Sequence, residues 1–144
     1  MNQLAVLQSM MESLRTLISS IVSIGLIIAG IKKAILQDPA FTAVDKEFLS
    51  TQGFTVVESP EALDHISETT MLYSVHCYED LYLVVAEKGR KPALAIMNDL
   101  EVYARAGKEV PETLKAMVEG CEEVKFPQWD GNTFAFTKMY WRKR

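Results

Sequence analysis

Cysteine is scarce in this chain. There are two, Cys77 and Cys121, and neither lies in a CxxC spacing, so a disulfide framework is excluded and a reducing compartment, cytoplasm or nucleus, is expected. Basic charge is also short. Fifteen Lys and Arg stand against nineteen Asp and Glu, for a formal net charge of -4, which leaves no basic face for phosphate binding through counterion release. The only basic cluster, Trp141-Arg142-Lys143-Arg144, reads as a solvated chain end, so no nucleic-acid partner is expected. The first fifteen residues carry Glu12 before Arg15 and no earlier positive charge, unlike the start of a secretory signal. Low-complexity runs and internal repeats are missing, and 144 residues are enough for one domain but too few for two full ones.

Charge is absent altogether from Thr16 to Ile31. This run is slightly short of what crosses about 30 Å of hydrocarbon, and Ser19, Ser20, Ser23, Gly25 and Gly30 interrupt it. A membrane span is therefore the lesser reading. An all-apolar stretch does not distinguish a buried strand from a buried helix.

Downstream the signals alternate. "KAILQDP" is a short apolar run closed by Asp38-Pro39, where proline ends ladder donation. Thr42 and Asp45 form a helix-start pattern, Val44 and Phe48 share a face, and Gly53 sits where a C-terminal cap belongs. "FTVVES" from Phe54 reads as a strand. Ser59-Pro60 introduces a short helical piece toward Ile66, and "TTMLYSV" reads as the next strand. Tyr78, Leu81, Tyr82 and Val85 recur at helical spacing until Gly89, and "PALAIMND" is strand-like. Leu114, Met117, Val118 and Cys121 make a helical stripe after Pro111, which assigns Cys121 to a helix and to the core. The aromatic "NTFAFTKMYWRK" closes the chain as a strand, expected antiparallel at a sheet edge. Such alternation predicts an α/β domain, with parallel strands near residues 34–37, 54–58, 71–75 and 93–97 in one mostly parallel, three-layered, Rossmann-like sheet.

The run from Gln37-Asp38-Pro39 with Phe41, through "DKEFL" and "GFTVVESPEAL", to "TMLYSVHC", Asn98-Asp99 and the final "FTKMYWRK" resembles the sensitivity-to-red-light-reduced (SRR-type) domain family, especially its fungal members. The resemblance covers roughly the last three-quarters of the chain, with short motifs in the family's order. It implies a Rossmann-like α/β domain linked with circadian and light regulation, haem biosynthesis and microtubule-related phenotypes, and it implies no defined reaction. In that family the equivalent of "IVSIGL" is a first strand followed by a Gly-Leu-Gly-type turn and a helix. Here Gly25-Leu26 is followed by Ile27-Ile28, and six residues separate Leu26 from Lys33, where a parallel crossover needs about ten to twelve. The first crossover helix is therefore expected to be lost. Residues 1–36 are read as an apolar segment, either one long helix or a hairpin, and residues 37–144 as the SRR-like domain. Part of Leu17 to Ile31 is expected to be poorly covered, favouring self-association or a protein partner.

Ligands of open α/β sheets gather at the carboxyl ends of the strands. Those ends carry Asp38, Glu58, Ser74 to Cys77, Asn98 and Asp99, and Asp38, Asn98 and Asp99 are the candidates for holding a cofactor. Asp38 follows the strand where ribose hydroxyls are often bound, although Asp before Pro is also a common turn former. The cofactor itself is not specified, because no Gly-rich phosphate turn is present. His76 and Cys77 are adjacent, so on a strand they face opposite ways and make neither a metal pair nor a nucleophile and its base. His65 is expected on the surface. Tyr73, Tyr78, Tyr82 and Tyr103 lack the basic interleaving of a base-stacking platform. A regulatory or scaffold protein without catalysis is the first reading, and a Rossmann-like nucleotide- or adenosylmethionine-binding enzyme is the second.

Overall fold

The computed structural model describes residues 33–75, 77, 79–126, 134 and 136–143. The expectations placed on residues 1–32 (strand, helix, hairpin or membrane segment, and the lost crossover) lie outside the described residues, as do those on His76 and Tyr78. Among the described residues no helix is long and apolar enough to cross a membrane. The chain divides into two units, Met1–Ser59 and Pro60–Arg144.

In the first unit, β1 (Ile35–Leu36) pairs parallel with β2 (Thr55–Val56), Ile35 opposite Thr55. The connection is α1 (Ala43–Thr51). Its start follows from side-chain chemistry. Thr42 Oγ1 accepts the Asp45 N–H at 3.3 Å, and Asp45 Oδ2 accepts the Thr42 N–H at 2.8 Å, so two donors that the helix leaves unpaired are satisfied reciprocally. Gly53, at φ +85°, supplies the left-handed residue that turns the chain toward β2. Lys46 Nζ reaches Glu58 Oε1 at 2.5 Å. The face expected from Val44 and Phe48 is exposed, at 74% and 53%, and Leu49 is the buried residue of α1.

The hydrogen bonds from Thr42 hold the Asp45 carboxyl below its usual range, chiefly through the threonine side chain. Because the folded value is depressed, this contribution is present above the ordinary carboxylate range and is lost as pH falls through the folded value. Thr42→Ala removes an N-cap worth about 1 kcal/mol. Amide exchange in the first turn of α1 should therefore quicken about fivefold, while Thr42→Ser leaves it near wild type.

The second unit opens with a 3-10 turn (Glu61–His65), in which His65 is exposed as expected. It continues through β3 (Met71–Ser74), α2 (Glu79–Glu87), β4 (Leu94–Asn98), α3 (Glu101–Arg105), α4 (Glu112–Val118), β5 (Cys121–Lys125) and β6 (Thr137–Arg142). The sheet order is β3-β4-β6-β5. β3 and β4 are parallel, and β6 is antiparallel to both β4 and β5. Alternate residues of these strands, Leu72, Ala95, Met97, Tyr140 and Cys121, pack with Tyr82, Val85, Tyr103, Leu114 and Met117 of the helices. The alternation places one side of the pleated sheet on the helices.

The α/β class and the parallel pairs β1–β2 and β3–β4 agree with the sequence, but the single mostly parallel sheet does not. The strands around Val56 and Leu72 belong to different sheets. The residues that link them hold only the five-residue 3-10 turn, which is no crossover helix. The C-terminal strand is antiparallel, yet it lies between β4 and β5 rather than at an edge. Gly120, at φ +74°, ends α4 before Cys121, so Cys121 opens β5 instead of closing the helical stripe, although it still packs against the core. Glu122, Glu123 and Lys125 leave this edge strand charged and exposed.

Candidate functional site

In the second unit the carboxyl ends of the parallel strands β3 and β4 stand side by side, Ser74 opposite Met97, with Asn98 next in β4. Tyr82 of α2 joins them. Its Oη donates to the Ser74 carbonyl and accepts the Asn98 N–H at 3.4 Å. Burial pushes the Tyr82 phenol up to about 12, with the nearby Cys77 thiol adding to the effect, so it stays a neutral donor across the ordinary pH range. Asn98 Nδ2 donates to the Cys77 carbonyl at 3.5 Å.

Asp99 is 8% exposed. Its Oδ1 accepts the Glu101 N–H at 2.9 Å and lies 3.0 Å from Lys138 Nζ. Lys138, from β6, also meets Glu101 Oε1 at 3.2 Å and Glu123 Oε2 at 2.9 Å. One ammonium thus links β6, the β4–α3 turn and β5. Burial works against its charge, but the hydrogen bonds from Glu123, Asp99 and Glu101 outweigh it and raise the Lys138 pKa above the usual lysine range. Beside it, Tyr140 Oη accepts the Leu100 N–H at 3.0 Å, and burial pushes this phenol up to about 12 as well.

Asp38 follows β1 in the other unit. It is exposed, and its Oδ1 accepts the Ala40 N–H at 2.8 Å while its carbonyl accepts the Phe41 N–H at 3.1 Å. This is the self-bonded turn that Asp-Pro sequences favour. Asn98 and Asp99 come together at the end of β4 with Tyr82 and Lys138, two residues the sequence did not single out as functional. Lys138 had a legible signal, a lone cation inside the aromatic run "FTKMYW". The role of Tyr82 had none beyond its place in a helical stripe.

Among the described residues, Ser74 Oγ, Thr137 Oγ1 and Tyr73 Oη are buried without a hydrogen-bond partner. Ser74 ends β3, and Thr137 stands opposite Asn98. Buried hydroxyls usually find partners, so these are the polar groups with capacity to spare near the strand ends. Cys77 and Cys121 are each half-buried and not joined in a disulfide.

Compared with known proteins, the chain matches the SRR1 domain over residues 1–141. No solved structure matches it.

Proposed function

The chain belongs to the SRR1 domain family, and on that premise we propose that it is a regulatory or scaffold domain whose strand-end polar residues serve the fold. The observation that supports this reading is the Asp99–Lys138 pair. A carboxylate that binds ribose hydroxyls must be open to the ligand and not already neutralised by a cation of the fold. The Asp99 side chain is 11% exposed, and its Oδ1 takes both the Lys138 ammonium and the Glu101 N–H. Asp38 likewise turns an oxygen on its own backbone. Function would then pass through a protein partner, or through self-association of the uncharged Thr16–Ile31 stretch, in the cytoplasm or nucleus.

A second reading draws on the unpartnered Ser74 and Thr137 hydroxyls beside Asn98. Under it, the ends of β3 and β4 are a Rossmann-like crevice for a nucleotide or adenosylmethionine. Thermal denaturation of the full chain with ATP, NAD, adenosylmethionine and haem separates the two. A ligand at a hundredfold excess over its Kd stabilises by about 2.7 kcal/mol, a shift of several degrees. The expected result is no such shift. A shift removed by Asn98→Ala or Asp38→Ala would replace the first reading by the second.

A further inference from the structure

β5 is an edge strand with residues 122–125 all exposed and β6 as its only strand partner among the described residues. The ladder on its paired side fixes which backbone groups point outward. The Phe126 N–H donates to the Thr137 carbonyl at 3.4 Å, and Phe126–Thr137 continues the register of Lys125–Lys138. In an antiparallel ladder, pairs that exchange both bonds alternate with pairs that exchange none. Val124–Met139 and Glu122–Trp141 are therefore bonded pairs, and Cys121, Glu123 and Lys125 turn their N–H and C=O groups away from β6. The other side of β6 agrees. Asp99 N–H to the Phe136 carbonyl and Arg142 N–H to the Ala93 carbonyl direct the even-numbered β6 residues to β4.

We propose that this edge is a self-pairing surface, on which β5 of a second copy of the chain docks antiparallel about a twofold axis, with Glu123 opposite Lys125 of the second copy. Outward-facing residues must meet outward-facing residues, which leaves few registers. Glu123 opposite itself sets carboxylate on carboxylate. Lys125 opposite itself sets ammonium on ammonium. Cys121 opposite Glu123 brings Glu122 onto Glu122. The Glu123–Lys125 register places opposite charges across the seam on both sides of the axis, and centres the 41%-exposed Val124 on its own counterpart.

The need for a counter-charge is visible within one copy. Lys125 stands opposite Lys138, a like-charge pair, and makes no ion pair among the described residues. Glu123 gives Oε2 to Lys138, and a carboxylate has lone pairs enough for a second ammonium. Pairing would join two four-stranded sheets into a continuous one, a route to association that uses none of the Thr16–Ile31 stretch.

The test is sedimentation of the full chain over a range of concentrations, with amide exchange at Glu123 and Lys125. The expected result is a mass that rises toward the dimer, with both amides protected as it does. Lys125→Glu sets acid against acid on both sides of the axis and should weaken the dimer about tenfold or more. Lys125→Pro removes an outward N–H that the β6 ladder does not use, and should act similarly with the monomer still folded by circular dichroism. A chain monomeric at every concentration would overturn the proposal. So would a dimer with freely exchanging Glu123, which would place the contact elsewhere, or one indifferent to both folded variants.

Discussion

Tyr140→Ala is expected to cost about 3–5 kcal/mol, the range for removing a large aromatic from a packed core, and so to take away much of the stability of Pro60–Arg144. The size follows from position. Tyr140 lies in β6, the strand between β4 and β5, and is 2% exposed. Its ring belongs to the cluster that holds Ala95, Tyr82 and Leu114, and its hydroxyl accepts the Leu100 N–H at the start of α3. Two functions are therefore lost at once. Tyr140→Phe separates them, since the ring stays while the Leu100 N–H loses its acceptor, at about 1–3 kcal/mol. Urea denaturation followed by circular dichroism should rank wild type above phenylalanine above alanine. Equal stability of the phenylalanine variant and wild type would mean that the Leu100 N–H finds another acceptor.

Lys138→Met should be nearly as costly, at about 3 kcal/mol, the lower end of what breaking a buried pair costs. The substitution keeps the apolar stem but leaves Asp99, Glu101 and Glu123 gathered without a cation. The pH dependence carries the sign. Because the folded Lys138 pKa is raised above its unfolded value, its stabilisation is fully present below the ordinary lysine range and is lost as pH rises through the folded value. Wild type should keep its advantage over Lys138→Met from neutral pH to about 10 and lose it above. A deficit that disappears near neutral pH would contradict the assignment of Lys138 as the clamp.

The helix starts and stops were legible because their causes are local. Thr42 and Asp45 bond each other within three residues, and Gly53 and Gly89 take the positive φ that ends α1 and α2. The β3-α2-β4 succession was legible for a similar reason, since the apolar period changes visibly between Leu72, Val85 and Ile96. Pairing was not, because it is decided by distant segments. Nothing within "CEEVK" shows that its partner is β6, and the helical spacing of Cys121 from Leu114 was overridden by Gly120. The apolar pair Val44 and Phe48 is exposed, which their helical spacing alone did not reveal. At the candidate site, the place of Asn98 and Asp99 at the carboxyl end of β4 was legible from strand-end logic alone. That Asp99 would be answered by Lys138 could not be read, because thirty-eight residues separate them and only the insertion of β6 beside β4 brings them to 3.0 Å.

That pairing is open to a double-mutant cycle in urea on Asp99→Asn, Lys138→Met and the two together. If Asp99 serves the fold through Lys138, each single change destabilises, and the double variant is more stable than the sum of the two losses predicts, by at least about 1.5 kcal/mol. Losses that add to within about 0.5 kcal/mol would contradict it, showing that Asp99 and Lys138 do not depend on each other and that the carboxylate at the end of β4 is available to a ligand.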